Sequence, residues 1–102
     1  MNMTIDEVVK TFVDVFNDNK KDGDEKSNFY CGITNDLERR KREHKLDDFL
    51  YTVKCKNFEA ASALEKELEE VGFDCGSQIA NGRSDTIYGY IYIERHQIRK
   101  SR

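Results

Sequence analysis

Asn28-Phe29-Tyr30-Cys31-Gly32-Ile33-Thr34-Asn35-Asp36-Leu37-Glu38-Arg39-Arg40-Lys41-Arg42-Glu43-His44-Lys45 is the stretch on which the reading of this chain turns. Phe29, Cys31 and Ile33 alternate with Tyr30, Gly32 and Thr34, the period of a strand with one apolar face, so Tyr30 projects to the opposite face. Asn35 is a good helix N-cap, and Glu38 three residues on completes a capping-box pattern. The helix that follows has an unusual inner face. Leu37 is expected to be buried, yet the residues stacked on it are Arg40, Lys41 and His44, where an ordinary surface helix carries apolar side chains. Arg40 and His44 are four apart and share one side of the helix. A tyrosine from the strand and an Arg/His pair from the helix can converge on one anion.

Outward from this stretch, the elements follow from periodicity. Thr4-x-x-Glu7 is a capping box opening a helix over residues 4–18, with Ile5, Val8, Val9, Phe12, Val15 and Phe16 on its inner face. Residues 17–27 are a polar loop; their acidic spacing does not fit a calcium loop. After the central helix fades near Lys45–Asp48, Phe49, Tyr51, Val53 and Cys55 alternate with Leu50, Thr52 and Lys54 as a second strand. Asn57 caps a third helix with Phe58, Ala61, Leu64, Leu68 and Val71 inside, and Gly72 stops it. Glu65 borders that apolar stripe. Asn81-Gly82 marks a turn. Residues 86–94 form a last strand, Ile87, Ile91 and Ile93 facing one way and Tyr88, Tyr90 and Tyr92 the other. The expected fold is α/β (α+β): a small three-stranded, mostly antiparallel sheet flanked by helices, in one domain over residues 1–102.

Composition narrows the class. Hydrophobic residues make up 37% and charged residues 36%, polar but with eleven aromatics to anchor a core. No apolar run is long enough to cross a bilayer and no signal segment opens the chain, so no membrane role is expected. Cys31, Cys55 and Cys75 are odd in number and form no C-x-x-C pair, which argues against a disulfide framework or zinc site and suits a cytoplasmic, reducing setting. The net charge of −3 hides an uneven distribution. Base gathers at Arg39, Arg40, Arg42 and Lys45 and in the tail 95–102, with Arg95, Arg99 and Lys100, a local face able to hold a phosphate backbone.

Tyr30-x-Gly32 followed by Asp36-Leu37-x-x-Arg40-x-x-x-His44 resembles the second half of the GIY-YIG nuclease motif, found in phage homing endonucleases, some restriction enzymes and the incision subunit of nucleotide excision repair. The resemblance runs from Phe29 to about Val71. It implies a metal-dependent endonuclease hydrolysing DNA phosphodiester bonds. Tyr30 would polarise or deprotonate the attacking water, Arg40 would neutralise charge on the scissile phosphate, and His44 would assist proton transfer or hold the tyrosine. Glu65 would be the one protein ligand to Mg²⁺ (or Mn²⁺), a hard cation that keeps most of its waters. Two departures stand out. The family's first motif, a Gly-Ile-Tyr strand shortly before the second, is replaced here by the polar loop 17–27. The C-terminal strand Gly89-Tyr90-Ile91-Tyr92 reads much like the missing one, and is expected beside the Tyr30 strand in its place. Tyr90 is then the second catalytic tyrosine, with Tyr88 and Tyr92 as rivals. Asn81 is the nearest match to the family's late asparagine. Two other function classes fit the same residues: a catalytically silent domain of this kind that binds nucleic acid or a protein partner, and a small acidic adaptor.

Overall fold

A computed structural model describes residues 3–75 and 85–94. Asn81, the Asn81-Gly82 turn, and Arg95, Arg99 and Lys100 of the tail lie outside the described residues.

Helix α1 spans Ile5–Asn19, and its start is the one expected. Thr4 Oγ1 accepts from the Glu7 N–H at 3.1 Å, and the Glu7 carboxylate accepts from the Thr4 N–H at 2.8 Å. Val8, Phe12 and Phe16 are its buried positions. Strand β1 is Phe29–Thr34 and helix α2 is Leu37–Glu43. The capping of α2 differs from expectation by one residue. Thr34 Oγ1 accepts from the Asp36 N–H at 3.1 Å and carries the turn one step further, so Asp36 caps the helix through the Arg39 N–H at 3.0 Å. Glu38 is then too early for a capping box. Asn35 instead accepts from Arg39 Nη2 at 3.0 Å. Leu37 is only half-buried, because this short helix buries no residue fully. The helix also ends earlier than expected, with His44 as its C-cap. Lys45 there takes a left-handed φ of 58°, and the Leu46 N–H returns to the Lys41 carbonyl at 3.0 Å.

Strand β2 is Tyr51–Lys54, shorter than the 49–55 stretch read from alternation. Phe49 precedes it and breaks the pattern: its ring lies against Tyr90, while Tyr51 meets Phe12 edge-on at 5.3 Å. Helix α3 spans Phe58–Glu70, capped by Asn57 through the Ala60 N–H at 2.9 Å. Ala61, Leu64 and Leu68 are buried as expected. Phe58 is only half-buried and Val71 is exposed, since the helix has already ended when Val71 is reached. Gly72 takes φ 115°, a conformation that side-chain-bearing residues avoid, and reverses the chain. Strand β3 is Tyr88–Ile93.

The sheet order is β1-β3-β2, with β3 antiparallel to both neighbours. The last strand therefore sits in the middle, and β1 and β2, joined through α2, run parallel on either side of it. Tyr30 pairs with Tyr92, Gly32 with Tyr90 and Thr34 with Tyr88, so the tyrosines of two strands share one face. Phe29, Cys31, Val53 and Ile91 point the other way, into a core closed by α1 and α3 with Phe12, Phe16, Leu64 and Leu68. Phe16 meets Phe29 and Phe73 edge-on at 4.9 and 6.0 Å. After Gly72, residue Asp74 forms a parallel bridge to Tyr30 on the outer edge of β1, its N–H reaching the Phe29 carbonyl at 3.1 Å. No helix among the described residues is long and apolar enough to cross a membrane.

Candidate functional site

The face opposite the core is lined by tyrosines rather than open to water. Tyr30 and Tyr92 stack with centroids 5.3 Å apart, and Tyr90 lies 6.3 Å from each. This stacking depends on Gly32. A Cβ at that position would stand 2.5 Å from Tyr90 Oη and 2.8 Å from Cζ, so the ring of Tyr90 occupies the room that a side chain would need. The C-terminal end of α2 lies over the same face. His44 Nδ1 is 3.1 Å from Tyr92 Oη, and its ring centroid is 5.0 Å from Tyr92 and 5.9 Å from Tyr30. Phe49 closes one side, 4.8 Å from Tyr90.

Arg40 supplies positive charge near this face. Burial pushes the Tyr30 hydroxyl above its ordinary pKa, and Arg40 draws it back part of the way. Tyr90 and Tyr92 are pushed up more strongly by burial; Arg40 eases Tyr90 alone of the two. His44 is held below its usual value, by burial first and then by Arg40, so its neutral ring is favoured. Glu65 of α3 also feels Arg40, but burial and its helix neighbour Glu69 dominate and raise its carboxyl to about 7. The guanidinium Nη1 of Arg40 meets Glu43 Oε1 at 3.2 Å. Arg40 Nε and His44 Nε2 are both buried without a hydrogen-bond partner among the described residues. Two nitrogens of this kind on one face suit an oxygen ligand, because each left unpaired is costly.

No protein-family model, no curated protein and no solved structure matches this chain.

Tyr30 and His44 come together with Arg40 within electrostatic reach of both, and the C-terminal strand lies beside β1 as the sequence pattern suggested. Between the rival tyrosines, Tyr92 is the one that reaches His44, while Tyr90 packs over Gly32. Tyr88 stands opposite Thr34, further along the sheet. Arg39 is engaged by Asn35 and Glu43, Arg42 and Lys45 are exposed, and Lys41 Nζ is 3.6 Å from Glu38. Asp74 and Glu94 were not singled out in the sequence. Both end on the tyrosine face, and Glu94 is raised by burial and by its hydrogen bond to Asp74. No motif spacing signals that pair, because a bridge at residue 74 and a strand end at residue 94 create it. The thiols of Cys31 and Cys75 are both raised by burial, Cys75 to about 12, which makes them poor nucleophiles.

Among the described residues no group of three or more His, Cys, Asp and Glu side chains is arranged to hold a metal. A single carboxylate is still a fitting donor for Mg²⁺, which takes one or two protein oxygens and fills its other positions with water. Glu65 is half-buried and forms no salt bridge within the described residues.

Proposed function

We propose that this chain is a metal-dependent endonuclease that hydrolyses DNA phosphodiester bonds, built like a GIY-YIG domain in which strand β3 stands in for the family's first motif strand. The observation that supports it best is the gathering of Tyr30, Tyr92 and His44 on one sheet face within electrostatic reach of Arg40, with Arg40 Nε and His44 Nε2 both unpartnered among the described residues. In this reading the scissile phosphate lies against Arg40, whose fork of donors matches two phosphate oxygens. Tyr30 keeps its proton at neutral pH, since burial raises it, and orients the attacking water through a hydrogen bond. His44 is neutral there. With its ring proton on Nδ1 and donated to Tyr92 Oη, its Nε2 lone pair takes the proton that the water gives up as the water oxygen bonds phosphorus; the P–O bond to the leaving sugar oxygen breaks, and that oxygen takes a proton from bulk water. Glu65 would hold Mg²⁺ or Mn²⁺, which when bound supplies Lewis acidity toward the phosphate oxygens. Arg39, Arg42 and Lys45, with Arg95, Arg99 and Lys100 of the tail, would contact the flanking DNA backbone. The same reading puts the chain in the cytoplasm, where three free thiols persist.

One observation favours a second reading, a silent domain that binds nucleic acid or a protein partner. Tyr90 and Tyr92 are only 1% and 3% exposed, and the two unpartnered nitrogens are out of reach of water. Chemistry on this face requires that a substrate open it.

Plasmid or oligonucleotide cleavage with Mg²⁺ or Mn²⁺ separates the two. For an active site, Arg40→Ala lowers the rate about a hundredfold or more, as for loss of other charge-stabilising donors. Glu65→Gln removes activity while the fold remains. A wild-type protein that binds DNA and never cuts it is the silent domain. Cutting that survives Glu65→Gln refutes the assignment of the metal ligand.

A further inference from the structure

Two arginines of α2 share one carboxylate. Glu43, the last residue of the helix, sets Oε1 3.2 Å from Arg40 Nη1 and Oε2 3.6 Å from Arg39 Nε. The arrangement follows from helical spacing, since residues three and four apart meet on one side. The arginine side chains are 43% and 35% exposed, so this contact lies at the rim of the tyrosine face rather than in open solvent. A carboxylate offers guanidinium groups the same pair of oxygens that a phosphate does. Glu43 thus already occupies one donor of Arg40, the group given to the scissile phosphate, and holds an ion pair with Arg39, a group given to the flanking backbone. Glu38, on the same helix, is 3.6 Å from Lys41 and touches neither arginine.

We propose that Glu43 is a specificity-determining residue that competes with phosphate for Arg39 and Arg40 and is displaced when a DNA backbone docks. The inference rests on the nuclease reading of this face. While the site is empty, Glu43 holds both guanidinium groups in place. An isolated anion gains little by displacing it. A duplex that also engages Arg42 and Lys45 recovers that cost from contacts elsewhere.

The test is the affinity of a short fluorescent DNA duplex by anisotropy, at low and moderate salt, without divalent metal. Glu43→Gln is similar in shape, and its side chain is 47% exposed, so the helix tolerates it. Release of an exposed ion pair of this type corresponds to about a two- to fivefold tighter Kd. Removing any negative charge strengthens DNA binding through the general field, so Glu38→Gln serves as the control. The expected result is a gain for Glu43→Gln that exceeds the gain for Glu38→Gln and disappears when Arg39 and Arg40 are both alanine. Equal gains from the two glutamines, or a gain that persists without the arginines, overturn the competitor role. Arg40-dependent binding that ignores Glu43→Gln overturns it as well, yet leaves the nuclease reading standing. Binding that ignores Arg40 itself removes both.

Discussion

Gly32→Ala tests the packing on which the tyrosine face depends. Gly32 pairs with Tyr90 across β1 and β3, and a Cβ there would stand 2.5 Å from Tyr90 Oη, 2.8 Å from Cζ and 3.2 Å from Tyr30 Cε1. The Tyr90 ring cannot swing clear. It is 1% exposed, lies in the central strand and has Phe49 against it at 4.8 Å. The strand must shift or the ring must leave its rotamer, and overpacking of this kind costs about 1–3 kcal/mol. In a domain of this size each kcal/mol moves Tm by about 4–8 °C, so a fall of roughly 5–20 °C is expected. Thermal and urea unfolding followed by circular dichroism measure it. Gly32→Ala combined with Tyr90→Leu, which removes the ring, should recover part of the loss relative to the two single changes added together, because the two positions are in contact. A Gly32→Ala protein that melts within a degree or two of wild type, or a double variant showing simple additivity, would refute the close approach of β3 to β1.

Two further changes follow from the same structure. Asn57→Ala removes the side-chain oxygen that accepts from the Ala60 N–H at 2.9 Å, and the lost N-cap should cost about 1 kcal/mol, seen as a lower urea midpoint with an unchanged slope. Stability should also fall as pH rises. Glu65, whose carboxyl is raised from 4.5 to about 7, and Glu94, also raised, hold their protons more tightly folded than unfolded. Their contribution is complete below the unfolded value of 4.5 and is lost as pH rises through about 7. His44 is lowered from 6.5, so it works in the opposite sense and adds stability as pH rises through that value. Two carboxyls raised to about 7 act against one histidine, so urea unfolding should show a more stable protein at about pH 5.5 than at about pH 8. Glu65→Gln and Glu94→Gln should each flatten the difference; an unchanged profile in both would contradict the shifts.

Local chemistry wrote most of the elements into the chain. The Thr4–Glu7 capping box, the Asn57 cap, Gly72 and the alternation of residues 29–34 and 88–93 are decided by side chains near their own backbone, so they are legible without a fold. Where two local devices competed, the sequence was ambiguous. Asn35 and Asp36 are both good caps, and the hydroxyl of Thr34 settled the matter in favour of Asp36. The face shared by Tyr30 and Tyr92 was foreseeable from period two, because both strands turn their apolar residues to one core. Which tyrosine meets His44 was not, since that depends on cross-strand register and on where α2 ends. Only the tertiary structure puts the last strand in the middle and brings Asp74 and Glu94 together. These arrangements join residues far apart in the chain, and their energies arise from burial and charge in the assembled sheet rather than from any pattern a neighbouring residue imposes.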